Sequence, residues 1–144
     1  MLRTVTLVLA AVLLIALASP AHAERIRLSA NLDGVSEVPP VQSPATATAT
    51  VWFDKDTGMV TWDVYWSGLS GPPTAAHFHG PASKTNRADV QLDLGGNGFY
   101  SPFRGSAALS EQQADQLLAG KWYINIHTAA HPDGEIRGQV LRQP

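Results

Sequence analysis

The residues of this chain whose types and spacing can do chemistry are its histidines. There are five, and His22 lies in an N-terminal segment that reads as a removable leader. The others fall in two tight clusters, His77-Phe78-His79 and His127-Thr128-Ala129-Ala130-His131, with none elsewhere. In a β-strand, residues i and i+2 point to the same face. His77 and His79 therefore stand side by side while Phe78, the large apolar residue, turns toward a core. Two such imidazoles can share a metal ion at about 2.0–2.1 Å from each nitrogen, and a third from another strand closes the set. The candidate ligands are His77, His79 and His127, with His131 as a fourth ligand or a gate. Imidazoles without sulfur suit copper(II) or zinc(II), so copper is the first expectation and zinc the second. A methionine-rich copper(I) site is disfavoured, because Met59 is the only methionine beyond residue 1. Asp133 and Glu135 can add a carboxylate ligand or orient an imidazole from behind. Glu135 can equally pair with Arg137 along one face of its strand. In the alternative without metal, each imidazole hydrogen-bonds a turn carbonyl and pins a loop.

Other chemistries find little footing. With Cys 0 there are no disulfides, thiolate ligands or cysteine nucleophiles. The serines lie in no Gly-x-Ser-x-Gly elbow. Gly95-Gly96-Asn97-Gly98 is followed by aromatic residues and proline rather than a helix start, so it reads as a turn and not a phosphate loop. No catalytic residue is assigned. Ten Lys+Arg against 12 Asp+Glu give a net charge of −2, which leaves no basic patch for nucleic acid.

Holding imidazoles from different strands together requires a sheet. Residues 1–23 are set aside first: Arg3 is a positive n-region, Leu7 to Ala18 an apolar run, and Ala21-His22-Ala23 a small-x-small cleavage site. That run is too short for a bilayer, which needs about 20 apolar residues. The expectation is a cleaved signal peptide at 1–23, a single domain at 24–144 with no membrane span, and a secreted or periplasmic location. Most of the domain alternates with period two. Ile26, Leu28, Ala30 and Leu32 share one side of a first strand, and a second runs from Ala45 to Phe53. Asp54 to Gly58 is a hairpin turn, and the return strand places Val60, Trp62, Val64 and Trp66 on a core face. Further strands are expected at Thr74–His79, Val90–Leu94, Phe103–Leu109, Trp122–Thr128 and Glu135–Leu141. Ser110 with Gln113 is a capping box opening one helix whose stripe is Ala114, Leu117 and Leu118, ended by Gly120. The fold class is all-β: an antiparallel, Greek-key-like β-sandwich or barrel of about eight strands with one short helix.

Four ordered motifs carry a family resemblance. They are Glu37-Val38-Pro39-Pro40-Val41, then Thr74 to Ala82 around His77-Phe78-His79-Gly80-Pro81, then Leu117 to Thr128, and finally Pro132 to Val140 with Asp133-Gly134-Glu135-Ile136-Arg137-Gly138. Together, from about Ile26 to Leu141, the chain resembles the CHRD (chordin-type) domain. The resemblance implies a β-sandwich-like extracellular domain, found singly in bacterial secreted proteins and repeated in animal antagonists of morphogen signalling; it implies no catalytic activity. The His-x-His strand with a later histidine is also similar to the copper side of Cu,Zn superoxide dismutases. The chain departs from them in lacking cysteines, a histidine-rich zinc loop between the clusters and an assignable active-site arginine. Three functions stay open: a secreted copper- or zinc-binding protein, a metal-free module for an unidentified protein partner, and a dismutase-like redox enzyme.

Overall fold

The computed structural model describes residues 24–95 and 100–144. The expected signal peptide and the Gly96-Asn97-Gly98 part of the glycine turn lie outside the described residues. The period-two pattern becomes strands β1 (Arg25–Asp33), β2 (Thr46–Asp54), β3 (Met59–Ser67), β4 (Pro73–His79), β5 (Val90–Asp93) and β6 (Phe103–Ala108). Helix α1 (Glu111–Leu118) follows, then β7 (Tyr123–Thr128), β8 (Ile136–Gln139) and β9 (Leu141–Arg142). They form one sheet in the order β5-β4-β7-β8-β1-β2-β3-β6, with β9 against β1. Every pairing is antiparallel. The sheet curls into a nearly closed barrel, as the all-β expectation requires. β8 returns to lie beside β1, next to the β1-β2-β3 meander, in the manner of a Greek key.

Alternate residues of each strand fill the barrel. Leu28, Val51, Val60, Phe78, Ile124 and Ile126 are wholly buried, and each such side chain contributes about 1.5–3 kcal/mol relative to exposure. Trp62 and Trp122 flank Phe78 at ring-centroid distances of 5.6 and 5.7 Å. Trp62 of β3 and Trp122, just before β7, are thus core, while Trp66 packs at the margin. Ser110 caps α1 as the sequence predicts: its Oγ accepts from the Gln113 amide at 3.3 Å, and the Gln113 Oε1 accepts from the Ser110 amide at 3.0 Å. Leu117 enters the core.

The last expected strand divides in two. β8 pairs with β7, whereas β9 pairs only with β1, through Ser29 with Leu141 and Leu28 with Arg142. Gly138 sits where β8 presses on β1: a Cβ there would strike the Asn31 carbonyl oxygen. Gly138→Ala is expected to lower stability by about 1–3 kcal/mol through overpacking. Urea unfolding measures this, and an unchanged midpoint would contradict the close approach.

Candidate metal centre

The register between β4 and β7 assembles the histidines. It sets His77 opposite Asn125, His79 opposite Tyr123 and Ala75 opposite His127. His127 is thus the diagonal neighbour of His77, and Asn125 the diagonal neighbour of His79, both within reach of long side chains on one face. Phe78, Ile124 and Ile126 take the other face, into the core. The His77 Nδ1 lies 3.2 Å from the His127 Nε2. Ligand-capable atoms of His77, His79 and His127 all lie within 4.8 Å of one another.

The outer nitrogens are committed elsewhere. His79 Nδ1 is 2.9 Å from the Ala88 carbonyl oxygen, and His127 Nδ1 is 2.9 Å from that of Pro132. A carbonyl can only accept, so each Nδ1 carries the proton and each neutral ring turns an Nε2 lone pair inward. Both Nε2 atoms lie 3.0 Å from the Asn125 Oδ1, itself an acceptor. Between neutral rings, the amide must turn to offer its Nδ2 protons, or a cation must enter among the acceptors.

This outer face is covered, which is why the imidazoles are only partly exposed. The loop after β4 folds back over β7 and β8. Arg137 Nη2 donates to the Ser83 and Asn86 carbonyls at 3.0 and 2.8 Å, and Gln139 Nε2 to that of Ala82 at 2.9 Å. The Arg137 guanidinium lies 3.5 Å over the Tyr123 ring, and the His79 ring stacks against Tyr123 at 4.9 Å with only 4° between planes. A cavity of about 300 Å³ opens beside His79 and His127, bounded by Tyr123, Asn125, Arg87 and Glu37.

Burial, more than any neighbour, holds the His77 pKa below 6.5; His127 and His79 push the same way and Asp93 opposes them. Burial also lowers His79, opposed by its hydrogen bonds to the Ala88 carbonyl and to Asn125. Both rings are therefore neutral at pH 7, the state that binds metal.

Among the four predicted ligands, the structure gathers His77, His79 and His127. His131 sits in the turn after β7, where its backbone bonds Thr128 at 3.1 and 3.3 Å, and is not part of the trio. Asp133 is exposed at the rim and also outside the group. Both readings of Glu135 require correction. Its carboxylate is wholly buried and accepts from Ser43 Oγ (2.7 Å), Ser70 N (2.9 Å), Ser70 Oγ (2.6 Å) and Thr128 Oγ1 (2.7 Å). Burial alone would raise its pKa, but the bonds from Ser70, Thr128 and Ser43 outweigh that and leave it at about 2. With four donors satisfying it, Glu135 neither faces the histidines nor pairs with Arg137; the carboxyl that Arg137 feels is that of Glu37. Sequence reasoning gave Asn125, Glu37, Arg137 and Tyr123 no part in building the site. A polar residue at every second position of β7, between isoleucines, was the available signal for Asn125.

In the comparisons with known proteins, a family profile described as the CHRD domain matches residues 28–140. Comparison with curated proteins returned no match, and neither did comparison with solved structures.

A lowered histidine pKa means that the folded protein takes up these protons less readily than the unfolded chain. The pair therefore favours folding fully above pH 6.5, and that contribution is lost as pH falls below it. In metal-free protein, the His77 and His79 ring resonances are expected to titrate below pH 6.5 by NMR. A midpoint above 6.5 for either would contradict the burial argument.

Proposed function

The chain belongs to the CHRD-domain family, and from that premise we propose that it is a secreted or periplasmic protein that binds a metal ion, copper ahead of zinc, through His77, His79 and His127. One observation carries the reading: Nδ1 protons anchored on Ala88 and Pro132 aim two Nε2 lone pairs inward, beside a third nitrogen from His77. Backbone carbonyls that fix the outer nitrogen are how proteins orient imidazole ligands. Bonds of 2.0–2.1 Å separate neighbouring ligand atoms by about 2.9 Å in a square-planar and about 3.3 Å in a tetrahedral arrangement, and the His77–His127 nitrogens are already 3.2 Å apart. In metal-free protein, His77 Nδ1 donates to His127 Nε2; binding displaces that proton to the outer nitrogen of His77. Copper is preferred over zinc because nitrogen and amide-oxygen donors suit copper(II) and because copper(II) heads the divalent affinity order. The extracellular assignment is supported by the leader pattern at 1–23 and by the family, whose domains are typically extracellular.

The same two carbonyl bonds favour the metal-free reading, in which the imidazoles only pin the loops at Ala88 and Pro132. Titration calorimetry separates the two. Chelator-stripped protein at pH of about 7.5, where imidazoles are neutral, is expected to take up one copper(II) with sub-micromolar affinity and zinc(II) more weakly. A folded His77→Ala/His127→Ala variant is expected to take up neither. His131→Ala should change affinity by less than about tenfold, since it lies outside the trio. Equal heats from wild type and the double variant would leave the loop-pinning reading in possession.

A further inference from the structure

The register that gathers the three imidazoles also puts a fourth side chain among them. Asn125 and His77 are directly opposite across β7 and β4, with His127 one step along on one side and His79 one step along on the other. All four rise from the same face of the sheet, so they stand at the corners of a rhombus, with His77 across from Asn125 and His79 across from His127. Along three edges of it the donor atoms are already close. His77 Nδ1 lies 3.2 Å from His127 Nε2, and Asn125 Oδ1 lies 3.0 Å from His127 Nε2 and 3.0 Å from His79 Nε2. On the fourth edge and across the His79–His127 diagonal, ligand-capable nitrogens lie within 4.8 Å. Four bonds of about 2.0–2.1 Å in a flat square give edges of about 2.9 Å and diagonals of about 4.1 Å.

An amide has a donor end and an acceptor end, and the surroundings of Asn125 decide which faces the rings. The residue is 4 % exposed. Its Nδ2 and the Glu37 Oε1 border the space that Gly134 leaves, 2.9 and 2.5 Å from the point a Cβ there would occupy. That Glu37 oxygen is buried without a donor. Turning the amide would set Oδ1 toward it, acceptor against acceptor. Glu37 thus keeps the amide nitrogen on its own side and Oδ1 toward the rings, where the Nε2 lone pairs of His79 and His127 also converge. Acceptors that converge without a proton between them are unsatisfied, and a cation satisfies them together.

We propose that Asn125 Oδ1 is the fourth donor of the metal centre and completes a flat set of three nitrogens and one oxygen that selects copper(II) over zinc(II). The proposal rests on the reading of the trio as a metal site. Tetragonal nitrogen–oxygen sets suit copper(II), whereas zinc(II) takes four ligands at the corners of a tetrahedron. A rhombus on one sheet face offers the first geometry. Zinc(II) binds the three imidazoles with water in fourth place and leaves the amide aside.

The test loads chelator-stripped protein with one equivalent of copper(II) at pH of about 8, above the Glu37 pKa. The protein carries ¹³C only at its asparagine side-chain carbonyls. Pulsed ENDOR is expected to show a ¹³C coupling to the copper electron spin in wild type, and none in Asn125→Asp or Asn125→Leu. By calorimetry, Asn125→Leu is expected to weaken copper(II) about tenfold or more while zinc(II) changes by less than about threefold. Asn125→Asp, which keeps an oxygen donor, should hold copper(II) at least as tightly as wild type. A side chain that only braced the rings would produce no carbon coupling and would weaken both metals alike. Copper(II) bound by wild type without a ¹³C coupling, or equal losses for copper and zinc in Asn125→Leu, would overturn the proposal and leave the histidine trio standing. No copper(II) uptake by wild type would overturn both. The ENDOR measurement on wild type decides even if a variant fails to fold.

Discussion

The histidine face depends on one buried cation. Arg137 holds the loop after β4 by two carbonyls and lies on Tyr123, whose other face carries the ring of His79. The guanidinium, phenol and imidazole form a single stack across β8, β7 and β4. Packed this way, the flat guanidinium retains favourable contact with an aromatic ring while its edge bonds carbonyls. The loop that Arg137 holds down supplies the Ala88 carbonyl that fixes His79. A lysine could not serve both the ring face and the two carbonyls from one compact ammonium group.

Two buried glutamates show how much environment decides. Glu135 is encircled by three hydroxyls and an amide and stays ionised down to about pH 2. Glu37, with an unpartnered oxygen, is pushed up to about 7 by burial, against Arg137, the Val38 amide and Arg87. The first stabilises the fold above pH 4.5 and loses that effect as pH falls toward 2; the second weakens the fold as pH rises through 7. Gly134 leaves room for the first of these carboxyls in the chain, since a side chain there would run into the Glu37 carboxyl and the Asn125 amide.

Local rules made much of the fold legible in the residues themselves. Alternation placed β1 through β7 nearly to their ends, and the Ser110–Gln113 capping box placed α1. Facing opposite ways from Phe78 put His77 and His79 on the right surface. What alternation does not contain is register. That His127 lies diagonal to His77, with Asn125 directly across, depends on how β4 slides against β7. Charged residues were harder still. Glu37, Glu135 and Arg137 break the rule that charge stays outside, and their partners come from segments distant in the chain: Ser43 is 92 positions from Glu135, and Ser83 is 54 from Arg137. The single expected strand at 135–141 failed for a related reason, since β8 is held between β7 and β1 while β9 pairs with β1 alone.

The place of β1 in the sheet constrains the order of assembly. Its partner on one side, β2, follows it directly, while its other partners, β8 and β9, arrive more than a hundred residues later. A chain synthesised or threaded from its N-terminus can zip β1, β2 and β3 into a meander early. Closure must then wait on contacts of high sequence separation, which makes folding slow. Throughout that interval, β1 is a free strand edge open to mispairing with other chains. Arg25, Arg27 and Asp33 lie along it with their side chains outward, and charge on a waiting edge is how a sheet discourages the wrong neighbour until the right one is made.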